Sequence, residues 1–217
     1  TIALRMPRGV AGKIIAALDR PLAAPSANTS GKISGTNALS VEGDLGSKIA
    51  MILDAGPSEV GLESTIVKVD GDTILMLRPG GLPAEEIEAV IGRKLGRIDQ
   101  RAAIQAPGMM ASHYAPSAAM RLNVHDVMAG EALLAFGPHR ANGYSKAAAI
   151  LNLSKTGSLH EAATNLFDFM KRLDAVDCTM IAVEPIPFNG LGEAINDRLV
   201  RAAAPRSLSV AEMEQIK

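Results

Sequence analysis

Strand–helix alternation over residues 119–204 restricts the possible folds more than any other feature of the chain. Short apolar runs at 120–124, 132–136, 148–152 and 179–184 have strand length, and two longer stretches, 158–173 and 190–204, have helical spacing. In the last stretch Leu191, Ile195 and Leu199 share one face, and Asp197 can pair with Arg201 one turn on. Strands joined through helices run parallel, because a crossover returns the chain to the same end of the sheet. The pattern predicts a small doubly wound, Rossmann-like α/β unit.

Upstream, the order is mixed. Thr1–Pro7 alternates, with Ile2, Leu4 and Met6 on one side and Thr1 and Arg5 on the other, which predicts a strand. Residues 9–18 predict a short helix and 21–25 a small-residue strand. The Ser, Asn and Gly content of SANTSGKISGT demands an irregular loop, after which Ser34 or Thr36 caps a helix running to about Leu45. Ile49–Leu53 reads as a strand, and Thr65–Val69 and Thr73–Leu77 flank the turn signal Asp70-Gly71-Asp72. Pro83 opens a helix whose first turn holds Glu85 and Glu86, where negative charge suits the helix dipole. Periodicity then lapses over 98–118, where Pro and Gly corners bracket MMASHY. The expected division is 1–97, a linker at 98–118, and 119–217.

Composition excludes several classes. Hydrophobic residues make up 47% of the 217, enough for a packed core, and the net charge of −1 argues for no nucleic-acid or membrane partner overall. Residues 1–35 nevertheless carry Arg5, Arg8, Lys13, Arg20 and Lys32 against Asp19 alone. Cys178 is the single cysteine, so neither an intrachain disulfide nor a cysteine metal site can form, and a cytoplasmic setting is expected. No apolar run is long enough to span a bilayer. The chain opens within an expected strand, which reads as a fragment.

The common phosphate-binding and hydrolase signatures are absent. GVAGK at 9–13 lacks the P-loop spacing, GLG at 190–192 lacks the third glycine of a dinucleotide fingerprint, and the four histidines are scattered. What remains is TIALRMP, PLAAPSANTSGKISGT, GLESTIV and LRPGG, each placing small hydroxyls or an arginine at a strand end or sharp turn. Phosphates and carboxylates need several donors converging from close range, which small residues allow and an Arg fork strengthens.

These segments, in this order and spacing, resemble the YrdC/Sua family of L-threonylcarbamoyladenylate synthases. The linker APGM…HYAP and the helix GLGEAINDRLVRAA resemble its longer, two-domain members. The resemblance implies a YrdC-like mixed twisted sheet with helices, present in part, followed by the Rossmann-like unit. It implies synthesis of L-threonylcarbamoyl-adenylate from L-threonine, bicarbonate and ATP, with a magnesium ion and release of pyrophosphate. A downstream tRNA threonylcarbamoyl transferase complex would receive the product.

By the same resemblance, Arg5, Ala24 and Ser64 would bind threonine, and Thr1, Ser26, Asn28, Ser34, Arg78 and Tyr114 would bind ATP. Tyr114 would close over the nucleotide as part of a lid. No side chain acts as a nucleophile and none holds the metal. Two departures stand out. Gly35 follows Ser34 where the family has proline, and the family's Lys-x-Arg motif has no counterpart here, so the 217 residues alone are expected to make no product. The alternative is a YrdC-like module that binds RNA or nucleotide without catalysis, favoured only by the basic excess in 1–35.

Overall fold

The computed structural model describes residues 2–97, 106 and 113–205. Thr1 and most of the expected linker lie outside the described residues.

The N-terminal part is built around one short sheet. Helix α1 (Gly9–Leu18) and helix α2 (Ala38–Leu45) precede it, and strands β1 (Ile66–Asp70) and β2 (Thr73–Arg78) form the expected hairpin, with Asp70 opposite Thr73. Gly71 at the turn has φ 56°, a conformation that costs a residue with a Cβ. Helix α3 (Ala84–Ile91) then brings the chain to β3 (Gly96–Arg97), a two-residue strand parallel to β2. Met76, Ala84 and Leu95 form a small core beneath the hairpin.

Three expectations fail here. Residues 2–7 are not a strand, and Ile2, Leu4 and Met6 are 88%, 89% and 94% exposed. Residues 21–25 and 49–53 likewise form no strand. An alternating or apolar pattern makes a strand only where another backbone lies alongside to take its hydrogen bonds, and among the described residues none does.

The cap of α2 is also different. Asn37 closes it, its side-chain oxygen accepting from the Ser40 N–H at 2.8 Å. Ser34 is too far upstream, and its hydroxyl is used elsewhere. Asn37→Ala is therefore expected to lower stability by about 1 kcal/mol, read as a small fall in melting temperature, while Thr36→Ala leaves it nearly unchanged.

The C-terminal unit follows the sequence pattern closely. Strands β4 (Ala119–Arg121), β5 (Glu131–Ala135), β6 (Ala149–Asn152) and β7 (Met180–Val183) make a fully parallel sheet in the order β4-β7-β5-β6. Helix α4 (Leu159–Asp174) is capped by Ser158, whose hydroxyl accepts from the Glu161 N–H. It packs with α5 (Leu191–Ala203) on one face of the sheet, covering Ala132, Leu134, Ile181 and Val183. The other face, through Leu133, Ala135 and Ala182, is covered by Val124, Val127 and Ala141 from loops rather than by helices.

The two parts share a core. Ile33 and Leu62, from the N-terminal loops, are buried with α4 and α5. Gly61 permits that approach, since a Cβ there would sit 2.4 Å from the Thr164 carbonyl oxygen and 2.5 Å from that of Ala163. Thr164 donates to the Glu59 carbonyl at 3.0 Å, Arg97 pairs with Glu193 at 3.0 Å, and the Gly190 N–H donates to Glu85 at 3.1 Å. Among the described residues no helix is long and apolar enough to cross a membrane.

Candidate ligand site at the seam

The turn Gly61–Thr65 leads into β1 and carries two polar side chains in succession, Glu63 and Ser64. Gly80, just past the end of β2, packs against its backbone, where a Cβ would sit 2.3 Å from the Glu63 carbonyl oxygen and 2.4 Å from the Thr65 nitrogen. The Thr65 hydroxyl donates to the Leu82 carbonyl at 2.5 Å, and the Gly81 N–H donates to that of Glu63 at 2.9 Å. The GLEST and LRPGG segments thus form one bracket.

Ser64 is exposed, and its hydroxyl accepts from the Arg5 guanidinium at a long 3.5 Å. Arg78, at the end of β2, is buried, and its Nε and Nη2 donate to the Ser64 carbonyl at 3.3 and 2.8 Å. It also bonds the Tyr114 hydroxyl. Burial and then the nearby Arg198 charge pull the Arg78 pKa below the usual guanidinium range. The arginine expected to face nucleotide is therefore turned into the protein in this structure, bridging the Ser64 turn to Tyr114.

Tyr114 is 1% exposed, with φ 61°. Its ring stacks on Phe167 of α4 at 5.4 Å, meets His113 edge-on at 4.0 Å, and lies over Arg198 of α5 at 5.1 Å. The side chain expected on a lid is thus a wedge in the shared core, because an aromatic ring gains most where it is fully covered. Burial raises its hydroxyl pKa. Burial also lowers that of His113, and the Arg198, Arg201 and Arg78 charges act the same way against the opposing pull of Glu63.

Ser34 is 9% exposed, and its hydroxyl donates to Glu63 at 2.7 Å. Gly35 packs tightly, since a Cβ there would stand 3.0 Å from a Val41 methyl. Asn28 braces its own turn, donating to the Thr29 and Lys32 carbonyls at 2.9 and 3.1 Å, and its side-chain oxygen is buried without a hydrogen-bond partner. Ala24 and Ser26 are exposed just before that turn, and no hydrogen bond among the described residues ties them to the Arg5–Ser64–Arg78 chain. Thr1 lies outside the described residues.

Two residues central to this arrangement escaped the sequence reading. Glu63 accepts from Arg198 Nε at 2.9 Å, and Arg198 is fully buried. Burial alone would raise the Glu63 carboxyl, but the Arg198 charge and the hydrogen bonds from Ser34 and Arg198 hold it below its ordinary value. Burial likewise opposes the Arg198 charge, and Glu63, Tyr114 and Asp197 outweigh it. The signal was present in the sequence. Arg198 falls on the apolar stripe of α5 with Leu191, Ala194, Ile195 and Ala202, where a charge needs a buried partner.

A family model described as "Threonylcarbamoyl-AMP synthase, C-terminal domain" matches residues 82–204, and the Sua5/YciO/YrdC model, described as "Telomere recombination", matches residues 1–80. The threonylcarbamoyl-AMP synthase of Bacillus subtilis is 35% identical over 95% of this chain and 64% of its own length. That of Pyrococcus abyssi is 36% identical over 97% of this chain and 66% of its own. The crystal structure of P. abyssi Sua5 complexed with L-threonine superposes with a TM-score of 0.76 at 32% identity, covering 89% of this chain and 61% of that one. The chain thus spans less than two thirds of the length of these relatives.

Proposed function

Since the chain belongs to the threonylcarbamoyl-AMP synthase C-terminal-domain family, we propose that the protein carrying it makes L-threonylcarbamoyl-adenylate for the threonylcarbamoyladenosine modification of tRNA. The substrates are L-threonine, bicarbonate and ATP, the by-product is pyrophosphate, and a tRNA threonylcarbamoyl transferase complex takes the product. Residues 1–97 supply part of the catalytic domain, 98–118 the linker and 119–217 the second domain. The observation that carries this reading is the chain of contacts from Arg5 to Ser64 to Arg78 to Tyr114, four residues from four segments.

The exposed Arg5–Ser64 pair offers a cation and a hydroxyl to an amino-acid carboxylate. The threonine nitrogen adds to the bicarbonate carbon, whose hydroxyl leaves as water, and the carbamate oxygen then attacks the α-phosphorus of ATP and expels pyrophosphate. None of this requires a protein nucleophile. The residues hold the reactants in line and offset their charge, which is where phosphoryl-type transfers gain most of their rate. Ser26, Asn28 and Ser34 line the nucleotide side, and Ala24 offers backbone to threonine.

Among the described residues no three carboxylate, histidine or cysteine side chains gather as metal ligands. A magnesium ion arriving with ATP would be held by the nucleotide's phosphates, as that ion commonly is.

Equilibrium binding to the whole protein tests the assignment. Arg5→Ala is expected to weaken L-threonine more than ATP, and Arg78→Ala the reverse, each by about 2–5 kcal/mol where a charged contact is desolvated. Equal losses of both ligands in both variants would replace specific roles with a general electrostatic one. ATP or RNA binding with no threonine-dependent pyrophosphate release would favour the non-catalytic module.

A further inference from the structure

Glu63 and Ser64 are neighbours in the segment before β1, and their side chains reach different partners. Ser64 meets Arg5, and Glu63 meets α5. One Glu63 oxygen takes the Ser34 hydroxyl and the other takes Arg198 Nε. Arg198 Nη1 donates to Asp197 at 2.6 Å, and Asp197 also holds Arg201 at 2.9 Å. The flat guanidinium supports the Tyr114 ring, and Nη2 is buried without an acceptor among the described residues.

A seam needed only for cohesion has better options. A buried ion pair is matched or exceeded in stability by apolar side chains of the same volume, and a donor left unsatisfied adds further cost. The partners of Arg198 are instead the residue before Ser64, the Ser34 loop that Glu63 ties in, and Tyr114, which bonds Arg78. Three segments of the candidate site are fixed from one side chain of the C-terminal unit.

We propose that Arg198 is a positioning residue for this site: by holding Glu63 and the Tyr114 ring it sets the placement of Ser64, so that α5 completes the threonine-binding half from beneath. The proposal rests on the functional reading above. A guanidinium fork can grip a carboxylate and lie flat under an aromatic ring together, which an ammonium cannot.

The test uses the whole protein with Arg198→Lys, Glu63→Gln, the double variant, and Thr164→Val. The last removes a seam hydrogen bond, from Thr164 to the Glu59 carbonyl, that does not pass through Arg198 or Glu63. Arg198→Lys and Glu63→Gln should each raise KM for L-threonine about tenfold, within the range such networks give, with kcat changed far less. The double variant should be no worse than the poorer single, because both break one link. Hydrogen exchange should quicken at residues 61–66 in both, with α4 still protected.

Unchanged threonine KM in both single variants would overturn the proposal. So would a rise of the same size in Thr164→Val, since any loosening of the seam would then suffice. If the wild-type protein binds no threonine, the functional reading fails, and the exchange at 61–66 alone decides whether Arg198 holds the turn.

Discussion

Glu63→Ala is expected to cost the fold about 3 kcal/mol, the low end of what breaking a buried ion pair costs. At this chain length that corresponds to a fall in melting temperature of roughly 10 °C. The partner left behind, Arg198, has no exposed surface and, among the described residues, keeps Asp197 as its charged partner, which already serves Arg201. The same residue shapes the acid limb of stability. Its folded carboxyl lies below the ordinary value of 4.5, so the stabilisation is present above that pH and is lost as pH falls through the folded value. Glu63→Gln should flatten this limb, though Asp44, Glu85 and Glu131 are shifted the same way and will keep part of it. The double variant Glu63→Leu with Arg198→Met removes both charges at similar volume. It should recover most of the stability lost in Glu63→Ala, but not threonine binding. A double variant as unstable as Glu63→Ala would mean that the loss came from packing rather than from an orphaned charge.

How much was legible depended on whether the partner of a segment lay nearby in the sequence. Strands β5, β6 and β7 fell within a residue of their expected places and β4 ended three residues early, because all four pair within the same run and the central β5 and β7 are buried. The hairpin was legible for the same reason: Asp70-Gly71-Asp72 names its own turn. Ile2, Leu4 and Met6 carry an equally clean alternation and form no strand, since alternation reports which side can be buried and not whether a neighbour exists. Strand β3 has two residues, too few to show any period.

The site divides along the same line. Arg5, Ser64 and Arg78 were identified from motifs, and the structure joins them through Ser64. Glu63 and Arg198 are 135 positions apart. Arg198 stood out only as a charge on an apolar helix stripe, and nothing in that pattern names its partner. Ser34 shows the same limit: its motif points to nucleotide and says nothing of the bond its hydroxyl makes to Glu63.

Tyr114→Ala is expected to destabilise the protein by about 3 kcal/mol or more, the usual cost of emptying a buried aromatic site. The ring is 1% exposed, stacks on Phe167 and covers the Arg198 guanidinium, so its removal opens a cavity and uncovers a buried cation. One term runs the other way. At φ 61° Tyr114 holds a left-handed conformation that favours glycine, costing about 1–2 kcal/mol, and Tyr114→Gly should regain part of that. Tyr114→Phe separates the ring from its hydroxyl. It keeps the stack and the cation contact but loses the bond to Arg78, so melting temperature should fall only slightly. If the hydroxyl also meets nucleotide, ATP affinity should drop in Tyr114→Phe as far as in Tyr114→Ala. Measuring melting temperature and ATP affinity across all three variants separates the wedge from the lid. A Tyr114→Ala protein that melts with the wild type yet loses ATP would return the residue to the lid, and the buried packing would then describe only one of its positions.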